Sequence, residues 1–333
     1  MENELKKDTK KFFSKLGLMY MIGSIVIFAV QLTIPKLIFN ILPNLVVDYD
    51  EYFMLVMLPV YLIGMPILIL LIKTIPVTTV NEKKKMSVGQ WIIAFFMCYA
   101  CIYLSNILGL LFTGIIEHFK GNPVQNTILN ITSLISPITA FFIMVICAPI
   151  VEEIVFRKLL VDRASKYGEK TAIILSGLMF GLFHGNLNQF VYAFTFGCFL
   201  AFIYTRTRNI IHVILLHMGI NFMGSILGQL VLEKGGYMDI VKDIQKADSS
   251  EELMYLISSN ISGVAIYLIY VAILLVIVIA GTVLLIVNRK KFTCNSSEME
   301  IPKGQRFSTV ILNVGMILYC ILWIGMIILQ LCQ

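Results

Sequence analysis

The chain has 333 residues, 58% of them hydrophobic and only 14% charged, with a mean hydropathy of +0.87. Soluble domains run about 45–50% apolar and about 25% charged, so this composition argues against a soluble enzyme and against intrinsic disorder. Lysine and arginine number 26 against 20 acidic residues, a net charge of +6; in such a chain that surplus speaks of membrane orientation, not of nucleic acid.

A helix needs roughly 20 apolar residues to cross a bilayer. The chain offers nine such stretches: 16–35, 52–73, 91–116, 129–153, 171–187, 190–204, 210–231, 263–287 and 309–331. The fifth and sixth are short and close together, so a count of eight stays open. The predicted fold is an all-α polytopic transmembrane helix bundle. Its expected organisation is N-terminal membrane helices over 1–128, a motif-bearing core over 129–231, an extracytoplasmic loop over 232–262 and C-terminal membrane helices over 263–333.

The first span follows Lys6, Lys7, Lys10, Lys11 and Lys15 with no small-residue cleavage site, and reads as an uncleaved helix. Twenty-one of the basic residues fall at the N-terminus and in 73–90, 154–170, 205–209 and 288–308; the other five are Lys36, Lys120, Lys234, Lys242 and Lys246. The alternation predicts a multi-pass cell-membrane protein with its N-terminus cytoplasmic and its C-terminus outside. Cys98 and Cys101 have a redox spacing, but they sit mid-span and read as packing residues. In the outer loop, Ser249-x-x-Glu252 before Leu253, Leu256 and Ile257 has the form of a capping box opening an amphipathic surface helix.

An ionisable residue inside a bilayer is expensive and marks function by default. Such residues concentrate in the middle of the chain. The fourth span ends in Glu152, Glu153 and Arg157. Glu153 and Arg157 are four apart and can pair on one helix face, leaving Glu152 on another; both glutamates could also simply pair with the basic residues nearby. If this helix continues to about Arg163, the glutamates lie roughly 15 Å inside the boundary. The fifth span carries His184 four residues after Phe180, and the seventh carries His217 with Asn221 one turn on. His212 lies off that face and reads as a packing residue; His118 falls in a short loop beyond the third span. The three polar stripes come to comparable depth, about 12–20 Å from the same end. Each alone would be too costly, so they are expected to converge on one wet cavity. A carboxylate beside imidazoles can take a proton from water, and an imidazole and an amide can donate to an oxyanion, which describes amide hydrolysis.

At these residues the chain resembles the CAAX protease and bacteriocin-processing (Abi) family of intramembrane endopeptidases, which includes the type II CAAX prenyl endopeptidase. The three motifs occur in order: Glu152-Glu153-x-x-x-Arg157, Phe180-x-x-x-His184 and His217-x-x-x-Asn221, with Ala148-Pro149-Ile150-Val151 as lead-in. The resemblance covers about 145–225. It implies a helical membrane protease in which Glu152 activates water with help from His184. His217 and Asn221 would stabilise the oxyanion, and Glu153 with Arg157 would order the site. The family is commonly called metalloprotease; the reading favours hydrolysis without a tightly bound metal and keeps zinc open, with Glu152, His184 and His217 as the candidate ligands. The expected partners are the lipid bilayer and a membrane-associated or hydrophobic peptide substrate, with no nucleic acid. Two alternatives stand beside this reading: a non-catalytic bacteriocin-immunity or scaffold protein using the same cavity, and a proton-coupled transporter.

Overall fold

The computed structural model describes residues 2–77, 82–234, 249–297 and 299–332. Its long elements in chain order are α1 (Glu2–Ile41), α2 (Tyr49–Lys73), α3 (Val88–Lys120), the short α4 (Thr127–Leu134), α5 (Pro137–Tyr167), α6 (Glu169–Phe183), α7 (Leu187–Thr207), α8 (Ile210–Val231), α9 (Ser250–Ser259), α10 (Ile261–Lys291), the short α11 (Arg306–Val310) and α12 (Val314–Cys332). Among the described residues eight helices are long and apolar enough to cross a membrane, α6 being too short at 15 residues. The fold is the expected helical bundle.

Local chemistry explains most boundaries. Ser87 and Gln90 form a capping box that starts α3, and Gly121, at φ +75°, closes that helix in the left-handed conformation. α3 runs through His118 to Lys120, so His118 lies in its last turn and not in a loop. The fourth predicted span, 129–153, is corrected. The chain breaks at Ile135–Ser136, and a single helix then runs from Pro137 to Tyr167. Proline disfavours helix at the residue before it and suits the first helical position; Ser136 caps the new helix by accepting the Thr139 N–H. The fifth span also ends earlier than expected. α6 stops at Phe183, Gly185 turns at φ +65°, and Asn186 caps α7 by accepting the Gln189 N–H. The last span is likewise two helices, α11 and α12, where 309–331 was expected as one.

Four stretches widen from α to π geometry: Val60–Gly64 in α2, Phe141–Cys147 and Ile154–Leu159 in α5, and Phe222–Leu227 beyond Asn221 in α8. Such insertions appear frequently at functional sites. The first lies between Pro59 and Pro66 and the second ends just before Pro149, where the missing proline N–H interrupts the α ladder anyway.

α1 and α2 run antiparallel, Gly23 meeting Leu68 and Ile27 meeting Gly64, whereas α1 and α12 run parallel, Ser14, Tyr20 and Phe28 meeting Gly315, Tyr319 and Trp323 in turn. α1 lies between α2 and α12, α3 between α7 and α10, and α8 runs along α5. α6 and α7 form a tight hairpin because Gly177 and Gly197 meet backbone to backbone; a Cβ on Gly197 would lie 2.9 Å from the Gly177 Cα. Without a hydrophobic drive between helices in lipid, such close contact is what associates them.

The end of the bundle where α5 finishes is basic and elaborately tied. Asp162 meets Lys158 at 2.6 Å, Arg208 at 3.3 Å and the Tyr204 hydroxyl at 2.9 Å. Arg163 donates to the carbonyls of Ile75 and Leu159. The segment after α10 crosses this end like a strap: Met299 N donates to Lys166 O and Ile301 N to Tyr167 O. His212 is also engaged here, accepting the Met86 N–H at its Nε2 (3.1 Å). At the opposite end α9 forms over Ser250–Ser259; residues 235–248 of the expected outer loop, and the side chains of Glu252, Leu253, Leu256 and Ile257, lie outside the described residues.

Candidate active site

The two glutamates of α5 point to different surroundings, as their 100° offset on a helix requires. Glu153 is fully buried and both its oxygens are engaged. Oε2 lies 3.0 Å from Arg157 Nε, and Oε1 lies 2.8 Å from His217 Nδ1. Arg157 is fully buried too, its guanidinium 4.3 Å from the centre of the Phe180 ring. A cation so far from water is held by its carboxylate partner and by the negative face of the ring. Glu152 keeps 15% of its side chain exposed, and its Oε2 stands 3.8 Å from His217 Nε2. One imidazole therefore lies between the two carboxylates.

The hydrogen bonds fix the histidine tautomers. A carboxylate only accepts, so His217 donates from Nδ1 to Glu153 and turns Nε2 toward Glu152. His184 approaches the Phe180 carbonyl through Nδ1 at 2.8 Å; the carbonyl accepts, so Nδ1 carries the proton and Nε2 is left for other chemistry. Although His184 sits just beyond the end of α6 rather than within it, its ring still meets Phe180 edge to face at 4.7 Å. Phe180 also meets His217 at 5.9 Å, and Phe196 closes on His217 at 4.8 Å. Phe180 is thus the hub at which Arg157, His184 and His217 come together.

Asn221 lies one turn beyond His217 and donates its amide to the carbonyl of Met144 at 2.8 Å. That carbonyl belongs to the π-widened stretch of α5, so the amide clasps α8 to the helix that carries the glutamates. The polar face continues along α8: Ser225 bonds to Asn221 O, and Gln229 donates to Ile135 O.

Depth along each helix is not equal. His217 is roughly 10 Å from the start of α8, whereas Glu152 is roughly 22 Å from the end of α5. The two side chains touch, so α5 runs on past α8 at the basic end. Glu152, Glu153 and His217 meet, and His184 joins them through Phe180, but the helix ends are not level.

Four contributors had no sequence signal. Tyr20 of α1 donates its hydroxyl to Val155 O at 2.7 Å, bracing α5 between the glutamates and Arg157. Phe196 walls His217. Tyr61 and Tyr192 stand within electrostatic reach of Glu152, and Tyr192 hydrogen-bonds to Gln189. An aromatic residue in an apolar helix looks like any other packing residue until its neighbours are known.

For zinc, the two Nδ1 donors resemble the outer-shell bonds that orient ligating histidines. Yet among the described residues no three of His, Cys, Asp and Glu converge closely enough to hold a metal ion. In this arrangement Glu152, His184 and His217 do not fit a zinc site.

Residues 134–223 match the family described as Type II CAAX prenyl endopeptidase Rce1-like. All seven motif residues fall inside that stretch, and the resemblance read from the motifs holds there. The chain is also 29% identical over 169 residues to a Bacillus subtilis (strain 168) protein named "Putative membrane peptidase YdiL". That match covers 46% of this chain and 64% of the relative, so the chain spans less than two thirds of that protein's length. No solved structure matches this chain. The helices and this kinship together describe an integral, multi-pass membrane protein.

Proposed function

We propose that the chain is an intramembrane endopeptidase that hydrolyses a peptide bond near the cytoplasmic side of the membrane. The observation that carries this is the Glu153–His217–Glu152 array, in which one buried ion-paired carboxylate orients an imidazole toward a second, partly exposed carboxylate. Glu152 takes a proton from water as the water oxygen bonds to the peptide carbonyl carbon. The resulting oxyanion accepts hydrogen bonds from His217 and Asn221. For His217 to donate it must carry a second proton at Nε2, beside Glu152. Asn221 retains one amide hydrogen beyond the one given to Met144 O. When the C–N bond breaks, Glu152 returns its proton to the leaving nitrogen, and His184 assists through Nε2. Glu153 and Arg157 hold this arrangement rather than touch the substrate.

The substrate class that suits a site within apolar helices is a hydrophobic or membrane-anchored peptide. The basic end of the bundle is the cytoplasmic one by the positive-inside rule, which puts the N-terminus in the cytoplasm. The test is Glu152→Gln in purified, reconstituted protein, with cleavage of a membrane-peptide library read by mass spectrometry of new termini. Cleavage by the parent and loss in the folded variant supports the reading. Equal cleavage by both removes Glu152 as the base.

A further inference from the structure

Outside the proposed active site, α6 and α11 enclose an apolar groove of about 270 Å³. Ile174, Leu175 and Leu178 line one side, and Phe307, Val310 and Ile311 the other. Ile174 and Phe307 are 45% and 65% exposed, so the groove is open outward from the bundle. Thr171 and Arg306, each near the start of its helix at the basic end, mark the mouth.

In a bilayer the surroundings of this groove are already apolar. An acyl chain that enters it gains contacts but no hydrophobic transfer energy. Selectivity must therefore come from the mouth, where the charge is positive. Arg306 is held in place, its Nε donating to Ile301 O at 3.1 Å and its Nη2 to Glu300 at 2.6 Å. Lys170 immediately precedes Thr171, and Lys303 lies three residues before Arg306. Glu169, beside Lys170, is paired with Arg206 at 3.0 Å, so Lys170, Arg206, Lys303 and Arg306 outnumber Glu169 and Glu300 at this end, and basic pockets between membrane helices recruit anionic headgroups. The geometry points to a binding site for one anionic phospholipid, its acyl chain in the α6–α11 groove and its phosphate at Arg306. The site is independent of the peptidase reading, but it is built on α6, the helix that delivers Phe180 and His184.

The experiment is native mass spectrometry of the full-length protein in detergent with equimolar phosphatidylglycerol and phosphatidylcholine. The parent should retain phosphatidylglycerol preferentially. Each basic residue near an anionic headgroup is worth about fivefold in binding, so Arg306→Gln should reduce the preference by about that factor. Ile174→Trp, which fills the groove from a half-exposed position, should lower retention likewise, while Leu268→Trp on the outward face of α10 should not. Thermal unfolding of each variant confirms that it is folded. Equal retention of the two lipids by the parent overturns the proposal. So does an unchanged preference in Arg306→Gln, or full retention in Ile174→Trp, which would leave a headgroup contact without a chain in the groove.

Discussion

α5 and α10 are both long apolar helices, yet they relate to the protein in opposite ways. α10 has the higher hydropathy, 3.1 against 2.2 over the best window, but only 11% of that window is buried, against 39% for α5. In a soluble protein the more apolar helix would be the more buried. In lipid the order reverses, because an apolar side chain is as comfortable against an acyl chain as against protein, while a polar one is not. Burial here follows the groups that cannot face lipid. α5 is enclosed because it carries Glu152, Glu153 and Arg157. α10 supports the bundle from its rim, where Gly281 presses its backbone against Phe96 of α3.

Substitutions can break this contrast. The largest effect is expected at Glu152→Gln. General-base catalysis is worth about 10²–10⁴ in rate, so peptide cleavage should fall by that factor while the unfolding temperature stays close to the parent's. Next comes Arg157→Ala, which strands Glu153 without its partner. Breaking a buried ion pair costs about 3–5 kcal/mol, so folded yield and thermal stability in detergent should both fall. Replacing both members together, Glu153→Gln with Arg157→Met, should recover much of that stability without recovering activity. A result in which Arg157→Ala folds normally would contradict its role in ordering the site.

On α10 the sensitive position should be the backbone contact and not the apolar face. A Cβ at residue 281 would lie 2.1 Å from Phe96 O, so Gly281→Ala should lose about 1–3 kcal/mol by overpacking. Gly325→Ala on α12, where nothing lies within 4 Å, should be neutral or slightly stabilising through helix propensity. The smallest effect is expected at Ile279→Ala, at a position 63% exposed, which should stay within about 0.5 kcal/mol. Urea or thermal titration of reconstituted protein orders the three. A large loss at Ile279 would mean that α10 buries its face against another protein.

The candidate site residues were legible because an apolar background makes each charge conspicuous, and the i,i+4 spacing of Glu153–Arg157, Phe180–His184 and His217–Asn221 survives into the structure as shared faces. The break before Pro137 was also written in Ser136-Pro137, but a hydropathy window runs across two residues without registering them. The early end of α6 has the same cause: Gly185 and Asn186 turn the chain inside a stretch that reads as continuous apolar sequence. Tyr20, Phe196 and the clasp from Asn221 to Met144 left no trace, because their meaning is a contact between helices distant in the chain.

Taken alone, the order of residues determined that the chain is a membrane-embedded helical bundle and which few side chains must be kept from lipid, since the desolvation cost of a charge is a property of the residue and its span. Only the tertiary structure decided that Glu153 spends both oxygens on Arg157 and His217, that Glu152 is the carboxylate left partly open, and that Asn221 braces α5. Those outcomes depend on the rotation and offset of packed helices by a few ångströms, and no local periodicity encodes them.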